Sequence, residues 1–172
     1  MNTLVLVAGR KRTGKNTLVN NIIEGHEDKF NVLSFADPIK ETLVYACNKN
    51  GIPLTLNDFN GFGIERDKPL NDPKFTDSLI IDILETAIEY NNIVFTNTFS
   101  MPTMEIFEER SIRSLMRTFG TYLVVDQYDK NFWINKLQDK LVFDKINIVD
   151  DLRQQTEYEW ALRKKAIIIK SE

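Results

Sequence analysis

Three observations predict a three-layer α/β fold built on a parallel sheet. Leu4, Val5, Leu6, Val7 and Ala8 form a continuous apolar run that ends at Gly9, as a strand buried on both faces does. Ile146, Ile148 and Val149 form a second such run, which ends in Asp150 and Asp151. Around these runs, strand-like and helix-like periods alternate along the chain without a repeat, linker or charge block.

Each element follows from its own pattern. Beyond Gly9, Leu18, Val19, Ile22 and Ile23 recur at helical spacing, and Gly25 can stop that helix. Residues 31–35 read as a second strand. Asp37 and Pro38 open a helix carrying Ile39, Leu43, Val44 and Cys47, with Asp37 as N-cap and Pro38 in the first turn, where a missing N–H is harmless. Residues 51–76 set Gly51, Gly61 and Gly63 among Asn, Asp and Pro without an apolar period, and so read as a loop suited to substrate. Leu79, Ile80, Ile83, Leu84, Ala87 and Ile88 form a helical stripe, and residues 93–95 read as a short strand or extended turn. Helical patterns cover 111–125 and 132–142; after the strand at 146–149 come a helix through Trp160 and a last strand at 166–169.

Composition narrows the chemistry. The chain has 172 residues with 22 Lys and Arg against 25 Asp and Glu, a net charge of −3. That length predicts one domain, 1–172, able to bury roughly 70% of its unfolded surface without disulfides. A hydrophobic content of 42% and only 7 Gly and 5 Pro exclude disorder and fibre. No apolar stretch approaches the ~20 residues of a membrane helix, and residues 1–8 lack a secretory pattern, so a cytoplasmic protein is expected. With Cys47 the only cysteine and His26 the only histidine, a His/Cys zinc site and a Ser-His-Asp triad are excluded. Chemistry is left to Lys, Arg, Asp and the backbone.

Gly9-Arg10-Lys11-Arg12-Thr13-Gly14-Lys15 fits G-x-x-x-x-G-K, placed between a buried strand and a helix start as a phosphate-binding loop requires. The glycines let backbone N–H groups curl around phosphates, the helix N-terminus adds partial positive charge, and Lys15 supplies a point charge. Asn16 stands where Ser or Thr usually holds Mg²⁺, and Thr17 comes one residue late. An Asn oxygen is a hard ligand, so Asn16 and Thr17 are the candidate Mg²⁺ contacts, Thr17 serving alternatively on an α-phosphate. Three basic residues at 10–12 in a chain of net charge −3 do not form a nucleic-acid face.

Further segments join the loop in order: Ala36-Asp37-Pro38-Ile39-Lys40, LNDFNGFGIER over 56–66, IRSLMRTFGT over 112–121, Trp133, and Val149-Asp150-Asp151-Leu152-Arg153-Gln154 with Glu157. Together they resemble the bacteriophage-type deoxynucleoside monophosphate kinases, whose loop reads like G-x-K-R-S-G-K-D-T. The resemblance spans nearly the whole chain. It implies a P-loop NTPase fold with a helical substrate-binding or lid insertion at about 51–143, ATP as donor, Mg²⁺ as cofactor, and dNMP as acceptor. Three departures stand out: Asn16 for Asp, Ser114 where a second arginine often follows Arg113, and a C-terminus at Glu172 where relatives add a strand and helix. Part of the usual adenine pocket is therefore expected to be absent, unless a homodimer supplies it.

Phosphoryl transfer needs two phosphates held in line and their charge neutralised, which arginines and a lysine can do. By resemblance, Gly9, Arg12, Gly14, Lys15, Asn16 and Thr17 bind ATP, and Lys15, Arg66 and Arg113 carry the transfer. Lys11, Asp37, Ile39, Lys40, Gly120, Thr121, Trp133, Asp151, Arg153 and Glu157 join the two arginines around the acceptor. The residues alone leave alternatives open. Arg113 sits on the polar side of a helix striped by Ile112, Leu115, Met116 and Phe119, and Trp133 serves equally as core or as a stacking plane. Asp37 suits a cap as well as a ligand, Asp151 a metal-bound water as well as the acceptor base, and Arg153 a structural ion pair. A nucleotide-binding protein without transfer, or a phosphomevalonate-kinase-like enzyme, are the competing functions.

Overall fold

The computed structural model describes residues 3–9, 14–96, 98–100 and 104–170, with side chains throughout except at 104–106. The chain runs β1 (Thr3–Ala8), α1 (Lys15–Ile23), a 3-10 turn (Glu27–Lys29), β2 (Phe30–Leu33), α2 (Asp37–Lys49), α3 (Leu56–Asn60), α4 (Asp77–Tyr90) and α5 (Met104–Glu109). It continues through α6 (Ile112–Arg117), a π-helix (Thr118–Val125), α7 (Phe132–Gln138), β3 (Ile146–Leu152), α8 (Gln155–Arg163) and β4 (Ile167–Lys170). Two compact units result: Met1–Asp37 with Asn131–Glu172, and Pro38–Lys130.

The first unit holds the sheet, in the order β2-β3-β1-β4 with every pairing parallel. Alternation along β1 produces the three layers. Leu4 and Leu6 face one side, clustered with Ile134 and Leu137 of α7 and Trp160 and Ala161 of α8. Val5 and Val7 face the other, against Leu18, Val19, Ile22 and Ile23 of α1. Leu6 and Val7 are fully buried, each such side chain contributing about 1.5–3 kcal/mol. Within β3 the wholly buried Asn147 accepts from Asn31 Nδ2 at 2.8 Å and from the Val142 N–H at 2.9 Å, and donates to the Val142 carbonyl at 2.9 Å. That clamp satisfies the buried amide. It also explains why the helix predicted to reach residue 142 ends at Gln138: the Val142 backbone bonds to Asn147 instead.

The second unit is helical. The stripe of α4 is buried as its period predicts, at Ile80, Ile83, Leu84, Ala87 and Ile88, and so are Leu43 and Cys47 of α2. Burial pushes the Cys47 thiol up to about 12. Three features differ from expectation. Residues 51–76 are not all loop, because α3 forms on a capping box in which Thr55 accepts from the Asp58 N–H and the Asp58 carboxylate accepts from the Thr55 N–H. Residues 93–95 form no strand; the Ile93 N–H returns to the Ile88 carbonyl at 3.1 Å as a helix terminus. The pattern over 111–125 is α-helical only to Arg117 and then widens into the π-helix, where the Asp126 N–H reaches the Thr121 carbonyl at 2.9 Å. Among the described residues no helix is long and apolar enough to cross a membrane.

Candidate active site

The loop after β1 is framed by Gly9 and Gly14. Gly14 is left-handed, φ 76° and ψ 20°, a conformation open to glycine and strained for other residues. Its carbonyl accepts from the Leu18 N–H at 2.8 Å and so closes the first turn of α1. As N-cap it brings no side-chain acceptor, and no acid lies in that turn. The first turn of α1 thus sets no acid of its own against its N–H groups and positive dipole end, which suits an anion. Lys15 folds back so that Nζ donates to the Gly9 carbonyl at 2.7 Å, tying together the two ends of the loop. Asn16 and Thr17 follow with exposed side chains. Their amide and hydroxyl oxygens are hard donors of the type Mg²⁺ takes alongside its waters. Among the described residues no group of three His, Cys, Asp or Glu is placed to hold a metal. Arg10, Lys11 and Arg12 lie outside the described residues.

At the carboxyl end of the sheet, Asp151 of β3 is 8% exposed and holds the turn between β2 and α2. Oδ1 accepts from the Phe35 N–H at 2.8 Å; Oδ2 accepts from Ser34 Oγ at 2.6 Å and the Ala36 N–H at 3.1 Å. Asp37, expected to cap α2, is instead its first residue, and its carboxylate reaches back to the Ser34 N–H at 3.0 Å. Glu157 caps α8 in the same manner, accepting from the N–H groups of Arg153 at 2.8 Å and Gln154 at 2.9 Å. Burial, the largest cause, pushes its carboxyl above the usual carboxylate range; the two N–H groups oppose the shift and the charge of Asp151 adds to it. Arg153 has an exposed side chain. Trp133 is 5% exposed and meets Phe132 edge to face at 4.8 Å, a core environment.

The second unit brings Arg66 and Arg113 together. The Arg113 N–H donates to the Arg66 carbonyl at 2.9 Å, the Leu70 N–H donates to the Arg110 carbonyl at 2.9 Å, and Pro69 pairs with Ser111 in an antiparallel bridge. Residues 66–70 thus run as a strap along 110–113. Arg66 Nη1 donates to the Phe59 carbonyl at 3.2 Å, and Arg113 forms a two-point ion pair with Asp67. Ser114 is buried and closes the capping box of α6 with Ser111. Gly120, in the π-helix, faces Ile39: a Cβ there would stand 2.6 Å from Ile39 Cδ1. Lys40 donates to Asn60 Oδ1 at 2.8 Å, and Thr121 is half-buried.

Sequence reasoning did not find Ser34, Asp67 or Arg110. Arg110 anchors the strap, with Nε on the Phe107 carbonyl at 2.9 Å, Nη1 on the Phe75 carbonyl at 3.2 Å and Nη2 on Asp77 at 2.6 Å. An acid immediately after Arg66 was the available signal for Asp67, and it has no period to distinguish it from any surface charge.

The chain is 29% identical to the deoxynucleotide monophosphate kinase of Enterobacteria phage T4, covering 96% of this chain and 79% of that protein. It is 27% identical to the deoxynucleotide monophosphate kinase of Escherichia phage RB69, covering 96% and 80%. The family model for deoxynucleotide monophosphate kinase matches residues 3–171. With nearly its whole length matched and a parallel sheet flanked by helices, the chain belongs to the deoxynucleotide monophosphate kinase family and is a kinase.

Proposed function

We propose that the enzyme transfers the γ-phosphoryl group of ATP to the phosphate of a deoxynucleoside monophosphate, giving a deoxynucleoside diphosphate and ADP. The observation that carries this reading is the anion-ready start of α1, with Gly14 left-handed and the Lys15 ammonium tied to the loop's first carbonyl. Donor phosphates displace the Gly9 carbonyl as the partner of Lys15, whose charge then offsets the charge spreading over the moving group. Gly9, Gly14, Asn16 and Thr17 complete the donor contacts, with Arg12 over the phosphates. Asn16 and Thr17 are the residues that would hold Mg²⁺, which when bound neutralises phosphate oxygens.

The acceptor phosphate falls to Arg66 and Arg113, whose planar guanidinium groups match phosphate oxygens in a way a lysine does not. Lys11, Lys40, Thr121 and the Ile39–Gly120 contact border the acceptor nucleotide, and Asp37 and Arg153 complete its polar contacts. Asp151 and Glu157 act on it through the turn at 34–36 and the start of α8, which they hold in place.

A coupled assay of ADP release over the common dNMPs tests the proposal. Turnover with at least one dNMP is expected, and Lys15→Ala should lose roughly 10²-fold or more in kcat while its circular dichroism stays native. Nucleotide binding without turnover on any dNMP would leave a binding protein on a kinase scaffold. Unchanged turnover in Lys15→Ala would overturn the loop assignment.

A further inference from the structure

We propose that Asp67 is a positioning residue that presents the Arg113 guanidinium to the acceptor phosphate, an inference that rests on the reading of Arg113 as an acceptor contact. Arg113 has two hydrogen-bonding edges, one through Nε and an Nη and one through both Nη groups. Asp67 occupies the first: Oδ1 accepts from Nε, and Oδ2 lies 3.4 Å from Nη2. Nη1 makes no hydrogen bond among the described residues. The carboxylate therefore fixes the guanidinium plane from the side and leaves the outer fork, Nη1 with the second proton of Nη2, for a phosphate.

The backbone makes Asp67 the residue suited to this role. Its neighbour Arg66 accepts the Arg113 N–H, and Pro69 bridges Ser111, so Asp67 is held beside Arg113 by main-chain bonds on both sides. The Arg113 side chain is 33% exposed and that of Asp67 58%. A pair this exposed adds little to folding. Its effect is to remove rotamer freedom from an arginine that must meet a phosphate in one orientation. A carboxylate that competed with substrate would lie across the Nη1–Nη2 edge instead, and this one lies on the other edge.

Steady-state kinetics on the full chain, with dNMP varied at saturating ATP and the reverse, tests the assignment. Asp67→Ala should raise the dNMP KM roughly tenfold with the ATP KM unchanged. Asp67→Asn, which keeps an acceptor for Nε but gives none to Nη2, should raise it less. In an Arg113→Ala background, adding Asp67→Ala should change nothing further, because the effect passes through Arg113. A dNMP KM that falls or stays constant in Asp67→Ala while Arg113→Ala raises it would overturn the proposal and leave the acceptor reading intact. An equal rise from Asp67→Ala in both backgrounds would also overturn it. An Arg113→Ala enzyme with native dNMP KM and kcat would instead remove the acceptor reading beneath it.

Discussion

The main-chain N–H of Arg113 donates to the carbonyl of Arg66 at 2.9 Å, so these two arginines, distant in sequence, are neighbours because of backbone pairing rather than side-chain chemistry. Either guanidinium can be removed without undoing the pairing. The pairing in turn depends on what holds 66–70 against 110–113, and Arg110 is the main anchor. It sits at φ 44°, left-handed for a non-glycine residue, with three partners on its guanidinium.

Replacing Arg110 should therefore loosen the strap. Arg110→Ala is expected to lower stability by about 1–3 kcal/mol through the lost bonds to Phe75, Phe107 and Asp77. Arg110→Gly should cost about 1 kcal/mol less than Ala, because glycine accepts the left-handed backbone. Urea denaturation of both variants decides it, and an Ala variant as stable as the native chain would show that Arg110 anchors nothing.

Gly120 and Ile39 form a tight contact, and a methyl group at 120 would meet Ile39 Cδ1 at 2.6 Å. Gly120→Ala should destabilise by about 1–3 kcal/mol. Ile39→Val removes the colliding carbon and should recover a large part of that loss in the double variant. Additive losses from the two changes, read from thermal melts, would contradict the contact.

Glu157 gives a pH dependence of defined sign. Its folded pKa is raised, so the folded chain holds this proton more tightly than the unfolded chain. Stability from this group is present below the unfolded value and is lost as pH rises through the raised folded value. Glu157→Gln lacks that slope and can still accept the Arg153 and Gln154 N–H groups. Its stability relative to the native chain should increase from about pH 4 upward. A constant difference across that range would show the carboxyl to be unperturbed.

Cys47 is fully buried, with its thiol pushed up to about 12. Since the thiolate is the nucleophile, native protein at about pH 8 should react with a thiol-labelling disulfide reagent at least tenfold more slowly than protein in urea. Equal rates would place Cys47 in contact with solvent.

Much of the sheet was legible because burial on two faces leaves apolar runs, as in residues 4–8, and α4 declares itself by spacing. The short helix α3 offers too few residues for a period, and only the Thr55–Asp58 pair marks it. The widening at Thr118 has no sequence period of its own. At the candidate site, Gly9, Gly14 and Lys15 were legible because their spacing is local. The partners of Asp151 at 34–36 and of Arg113 at 66–67 are brought close by tertiary structure, which no local pattern encodes. Trp133 illustrates the limit: an indole suits a core and a base equally by composition, and its 5% exposure is set by tertiary packing that no local pattern encodes.

The strand order has a consequence for how the chain is made. β1 leaves the ribosome first, yet its hydrogen-bonding partners in the sheet are β3 and β4, whose residues from Ile146 onward are made last. Residues 38–130, by contrast, are contiguous and can collapse while synthesis continues. The apolar strand that carries Gly9 at its end thus waits unpaired through most of translation. Gly9, at the end of β1, takes its place only when the sheet closes around that strand, so the order of pairing differs from the order of synthesis.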